Sequence, residues 1–159
     1  MSEELLNRIA ECFASVPKPA VITKRVARGI DDDSNLSSAR LEELRAQDQE
    51  SSWTELTDDD IEYFDDILPW LDPDGYRFYL PAFMSYTLRR YRDSASLAMN
   101  GTIYSCTNCV CSHTFALFTA AQMRCVVEFL EFCAVADEYL DAAHAAYAVD
   151  HLELNAPHA

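Results

Sequence analysis

The twenty residues from Asp72 to Tyr91, DPDGYRFYLPAFMSYTLRRY, constrain this chain more than any other stretch. They hold four of its eight tyrosines and two of its eight phenylalanines, and only Asp72 and Asp74 among them are acidic. A large aromatic side chain buries roughly 150–250 Å², so the hydrophobic core is expected to radiate from here. Asp72 followed by Pro73 reads as a helix start, with proline in its favoured first-turn position. Pro81 lies deep inside the pattern. Either the helix kinks there, or one helix ends near Leu80 and another begins at Pro81. Beyond it Phe83, Met84, Leu88 and Tyr91 continue the apolar side, and Arg89, Arg90 and Arg92 form a basic edge.

With 159 residues, half of them hydrophobic, the chain suits one domain over residues 1–159. A chain of this size buries roughly two-thirds of its unfolded surface. No run of ~18 apolar residues is present to span a membrane. The opening MSEELLNR is acidic where an export signal would be basic and then apolar. A cytoplasmic location is therefore expected, with the six cysteines mostly reduced thiols. Residues 150–159 read as a flexible tail.

The net charge is −15, from 27 acidic and 12 basic residues. That sign opposes binding to nucleic acid or to an anionic lipid surface. Between Arg45 and Arg77 there is no Lys or Arg, while carboxylates accumulate from Asp48 to Asp74. The stretch from Cys125 onward also lacks Lys and Arg. A solvated face that maintains solubility is one reading. A docking surface for a basic protein partner is the other, with Glu55, Asp58, Asp59, Glu62, Asp65 and Asp66 as its candidate residues. Asp59, Glu62 and Asp66 fall at i, i+3 and i+7 and are expected to project together from one helix.

The remaining elements read as helices joined by short connections, which makes the fold all-α with about five helices. Ser2 can cap a first helix carrying Leu5, Leu6, Ile9, Cys12, Phe13 and Val16 on one face, ended by Pro17 and Pro19. Lys24-Arg25-Val26-Ala27-Arg28 is the one concentration of positive charge in the N-terminal half. Asp31 to Ser34 supply possible caps for a second helix through Leu36, Leu41 and Leu44, and residues 46–52 read as a polar linker. Thr57 and Asp60 frame a capping box, with Leu56 and Ile61 as a hydrophobic staple, for a helix that stops near Pro69. Asn100-Gly101 signals a turn, so a short hairpin is expected within residues 95–114. Thr119 with Gln122 and Phe118 with Met123 start the clearest helix. Its stripe Phe129, Cys133, Ala136, Leu140, Ala143, Tyr147 predicts one long helix from 120 to 148, on the order of 40 Å. Trp53, Phe64, Trp70, Tyr79, Leu80 and Phe83 are expected to share the main core.

Cys106, Cys109, Cys111 and His113 place four soft ligands in one short loop, the residue types that close a tetrahedron around zinc. Usual zinc sites pair two knuckles across a longer spacer, and four ligands from eight residues are cramped. Asp137, Asp141 and His144 share a helical face at i, i+4 and i+7. A di-metal bundle would require a second acid-x-x-His unit, and the sequence has none. No G-x-S-x-G motif supports a nucleophile, and three glycines cannot build a phosphate-cradling loop. Tyr76, Tyr79, Phe83 and Tyr86 could line an aromatic pocket, with core packing as the simpler reading.

Trp53-Thr-Glu-Leu56, followed by Leu71-Asp-Pro-Asp-Gly-Tyr-Arg-Phe-Tyr-Leu-Pro-Ala-Phe-Met84, resembles a family of small bacterial proteins of unknown function. Phe115, Thr119, Gln122, Val126, Phe129 and Leu130 extend the similarity over residues 5 to 132. The resemblance implies a helical fold and lends no activity. A non-catalytic acidic module that docks a basic partner, in its concrete form an immunity-type or inhibitory protein, is the functional expectation. A zinc or thiol-redox protein using the Cys106–His113 loop is the alternative.

Overall fold

A computed structural model describes residues 2–108, 114–136 and 138–155. Among them are eight α-helices and no strand: α1 (Ser2–Cys12), α2 (Lys24–Asp32), α3 (Ser38–Gln47), α4 (Asp58–Tyr63), α5 (Pro73–Arg90), α6 (Ala98–Asn108), α7 (Ala120–Ala134) and α8 (Ala142–Asn155). Single 3-10 turns at Trp53–Glu55 and Leu68–Trp70 complete the set. The all-α expectation holds, with more and shorter helices than the apolar periodicity implies.

The aromatic segment is the central helix. Along α5, buried residues from Tyr76 to Leu88 occupy every side of the helix, including Phe78, Tyr79, Leu80, Phe83 and Tyr86 at 0% exposure. A helix apolar all round must lie inside. α1, α4, α6 and both 3-10 turns pack against it. The Asp72 carboxylate accepts from the Gly75 amide at 2.9 Å, and Pro73 sits in the first turn. The helix continues through Pro81, which has no N–H for the Arg77 carbonyl. A Cβ on Gly75 would lie 2.8 Å from the Ile22 carbonyl oxygen, so only glycine lets this first turn approach the chain before α2.

The boxes at Thr57–Asp60 and Thr119–Gln122 form with both reciprocal hydrogen bonds. Gln122 does more than cap. Its side-chain oxygen accepts from the Thr119 amide and from Arg77 Nε, both at 3.0 Å, and its Nε2 donates to the Cys12 carbonyl at 2.9 Å. One buried amide thereby joins α7, α5 and α1.

Five expectations need correction. α2 begins at Lys24, so the basic cluster is itself helical, and α3 is capped by Ser37 rather than by residues 31–34. The helix after Thr57 ends at Tyr63, well before Pro69. In place of the expected hairpin, α6 runs through Asn100-Gly101, with Thr102 Oγ1 donating to the Ala98 carbonyl at 2.6 Å. The long final helix is two: α7 stops at Ala134, and Asp141 starts α8 by accepting from the His144 amide at 3.0 Å. α5, with 18 residues, is the longest element. Trp70 is 43% exposed and lies outside the core that Trp53, Phe64, Tyr79, Leu80 and Phe83 share. α8 runs to Asn155.

Candidate docking site

The acidic residues proposed as one surface divide into three groups. Glu55, though exposed, folds back onto its own 3-10 turn, accepting from Ser51 Oγ at 2.7 Å and the Ser52 amide at 3.0 Å. The Ser51 hydroxyl contributes most to holding its carboxyl below the ordinary value. Asp58 is spent on the basic edge of α5, 2.7 Å from Arg89 and 3.5 Å from Arg90. Asp66 pairs with Arg28 at 2.8 Å. α4 ends at Tyr63, so Asp66 lies beyond it, and Asp59, Glu62 and Asp66 do not share one helical face. Asp59 is exposed on the first turn of α4.

Glu62 and Asp65 are brought together with a residue the sequence did not suggest, Asp93. They line an open concavity of about 450 Å³, with Arg90, Ser94, Ala95, Ser96 and Leu97 as the rest of the wall. The turn after α5 supplies the far side. Its shape is held from below by Tyr86, whose hydroxyl donates to Glu62 Oε1 and shares a hydrogen bond with Ser94 Oγ, each at 2.6 Å. Ser94 Oγ also accepts from the Ser96 amide at 3.1 Å. Burial, then the Glu62 carboxylate, pushes the Tyr86 hydroxyl up, so it remains a donor. Burial and the neighbouring Asp66 push Asp65 above the usual aspartate value, against the pull of Arg28. Arg90 is the cavity's one guanidinium, and it already lies 3.3 Å from Asp93 and 3.5 Å from Asp58. Leu97, 75% exposed, stands at the rim. Three carboxylates, two serine hydroxyls and an exposed leucine suit a guanidinium or ammonium group with an aliphatic stem.

A second concavity of about 310 Å³ lies between α2 and α3, lined in part by Arg25, Arg28, Arg40, Tyr63 and Phe64. Its cations are already engaged: Arg25 with Asp48 at 3.2 Å, Arg28 with Asp66 at 2.8 Å and Arg40 with Glu43 at 3.0 Å. Asp32 and Asp33 line the same groove. It offers an anion little uncompensated charge.

The linker read over 46–52 holds the most buried carboxylates among the described residues, Asp48 and Glu50. Lys24 Nζ, on a side chain 8% exposed, lies 2.6 Å from Glu50 and 3.1 Å from Asp48. Tyr79 donates to Glu50 at 2.7 Å and accepts from the Lys24 amide at 3.1 Å. Arg25 adds its amide to Asp48 at 2.9 Å, and Lys18 Nζ donates to the Asp48 carbonyl. Burial pushes the Glu50 carboxyl up, but the hydrogen bonds from Lys24 and Tyr79 outweigh it and hold the group below 4.5. This closed cluster ties α2 and α5 to the connection after α3, and every member is committed to another. The signal available in the sequence was a lysine beside Val26 and Ala27, positions that turn out buried.

Of the cysteine loop, Cys106 is buried at 2% exposure on α6, its Sγ 3.7 Å from the Tyr76 hydroxyl. Cys109, Cys111 and His113 lie outside the described residues, as does Asp137. Asp141 accepts from Tyr104 at 2.8 Å, which above all holds its carboxyl low, and His144 Nε2 lies 2.6 Å from Thr107 Oγ1. Among the described residues no group of three or more His, Cys, Asp or Glu is arranged to hold a metal ion, and no helix is long and apolar enough to cross a membrane. Tyr76, Tyr79, Phe83 and Tyr86 are each at 0% exposure, so they form core rather than the wall of an open pocket.

Compared with known proteins, residues 1–153 match the family described as "Family of unknown function (DUF6714)". No curated protein and no solved structure matches the chain.

Proposed function

The chain belongs to the DUF6714 family, which carries no assigned activity, and from that premise we propose that it is a non-catalytic, cytoplasmic protein-binding module that docks a basic partner. An immunity-type or inhibitory role is its concrete form. The observation that supports this reading is the open cavity of about 450 Å³ in which Glu62, Asp65 and Asp93 face one already paired guanidinium. An excess of carboxylate at an accessible concavity attracts a Lys or Arg side chain, and the surrounding −15 charge steers a cationic protein toward it. Asp59, exposed on α4, adds to the approach field.

A hexa-arginine peptide titrated into isotopically labelled protein tests the reading. Amide shifts are expected at Glu62, Asp65, Asp93, Ser94 and Leu97. They should fade as salt rises, because exposed charges are screened beyond about 8–10 Å at physiological ionic strength. Glu62→Gln combined with Asp93→Lys should remove them. Shifts spread evenly over all acidic surfaces, or unchanged in the double variant, would overturn the site.

A further inference from the structure

Two cysteines that the docking reading does not use lie where α1 packs on α7. The helices run antiparallel with a register set by two contacts: Arg8 to Glu128 at 2.6 Å and the Cys12 carbonyl to Gln122 Nε2 at 2.9 Å. Cys125 lies midway between Gln122 and Glu128, one turn from each, and Cys12 lies one turn beyond Arg8. Cys12 and Cys125 thus share the seam between α1 and α7 beside Arg8 and Glu128, and the Cys12 thiol is near enough to push the Cys125 thiol up. Their exposures differ. Cys12 is partly open to solvent, while Cys125 is 2% exposed.

We propose that Cys12 and Cys125 are a thiol pair that a hydroperoxide converts reversibly into a disulfide strapping α1 to α7. The partly exposed Cys12 sulfur attacks one peroxide oxygen and the O–O bond breaks. The thiol becomes a sulfenic acid, and one water leaves. Cys125 sulfur then attacks the Cys12 sulfur, an S–S bond forms, and the sulfenic hydroxyl departs as a second water with the Cys125 proton. Two thiols and one hydrogen peroxide give one disulfide and two waters, the sulfurs oxidised and the peroxide reduced. Burial, with the Cys12 thiol beside it, pushes Cys125 up to about 12. Burial thus keeps Cys125 from meeting peroxide first, and it gives up its proton only as its sulfur attacks the sulfenic acid beside it. Cys133, fully buried and also pushed up by burial, has no such opening to solvent.

The test is peptide mapping of the full chain after treatment with hydrogen peroxide, without reductant. Cleavage after acidic residues separates Cys125 from Cys133 at Glu128 and frees Cys12 at Glu11. The expected result is a Cys12–Cys125 linked peptide in most molecules, with titratable thiols of the denatured chain falling from six to four. The oxidised protein should melt several degrees higher than the reduced one, with dithiothreitol reversing the shift. Cys125→Ser should lose both the link and the shift, and Cys133→Ser should keep them. Over-oxidation of Cys12 without the link, or a link between another pair in its place, would overturn the proposal. The mapping is done on the unaltered chain, so the presence or absence of the link is decided even where a serine variant fails to fold.

Discussion

The Lys24 cluster and the Glu62 cavity are made of the same materials: carboxylates, a cation and a tyrosine from α5. Around Lys24 the tyrosine, both carboxylates and the ammonium are buried and joined to one another. Around Glu62 the tyrosine is buried beneath, while Glu62 and Asp93 are exposed and outnumber their cation. Burial therefore decides role. A desolvated charge must be matched inside the protein, and breaking its pair is costly. An exposed carboxylate is matched by water at little cost and remains available to a visitor.

The largest test removes the central cation. Lys24→Ala leaves Asp48 and Glu50 buried without their ammonium, and a loss of about 3–5 kcal/mol in urea unfolding is expected for a broken buried pair. A loss under about 1 kcal/mol would show that water fills the site and would remove the contrast with the cavity. Tyr79→Phe should cost less, about 1–3 kcal/mol, since it leaves one oxygen of Glu50 and the Lys24 amide without their partner. That figure too is read from the denaturant midpoint.

Acid should move the two regions in opposite directions. Glu50 is held below 4.5, so its contribution is present above that pH and is lost as pH falls through its folded value. Asp65 is held above 3.8, so its contribution is present below that pH and is lost as pH rises through its folded value. Unfolding free energies measured from pH 7 to pH 3 should therefore fall less steeply in Glu50→Gln than in the parent. Asp65→Asn should make the fall steeper. Matching slopes in both variants would erase the distinction. The smallest effect is expected from Glu62→Gln with Asp93→Lys, within about 0.5 kcal/mol of the parent in the same assay. A larger loss would place the cavity among the structural features.

What could be read from the chain divides along local and distant causes. The caps at Thr57, Asp72 and Thr119 were legible because each is settled within four residues. The break between α7 and α8 was not, because Val135 to Asp141 contains neither glycine nor proline. Distant partners set it: Tyr91 packs edge-on against Phe132 and Tyr139, and Asn100 Oδ1 accepts from the Asp141 amide at 3.0 Å. The same Asn100 explains the missing hairpin, since its side chain serves that contact inside a helix. Of the candidate site, Glu62 and Asp65 were among the acidic residues named from the sequence. Asp93, Ser94 and Leu97 were not, because the turn after α5 carries no local pattern that points back to α4.

α3 has no buried residue, and Leu36 and Leu44 rest on the bare backbone of Gly29, where an added Cβ would sit 2.9 and 2.7 Å from them. Its attachment to the body runs through α2, through Arg45 Nε donating to the Val21 carbonyl at 2.9 Å, and through Asp48 and Glu50 just beyond its end. The molecule is thereby graded in how deeply its amide protons are guarded. Those of α3 are expected to open to solvent by a local excursion that leaves the rest of the fold standing, and those at the middle of α5 only when the whole chain unfolds, an order that amide hydrogen exchange would read. The Lys24 cluster marks the boundary between the two regimes.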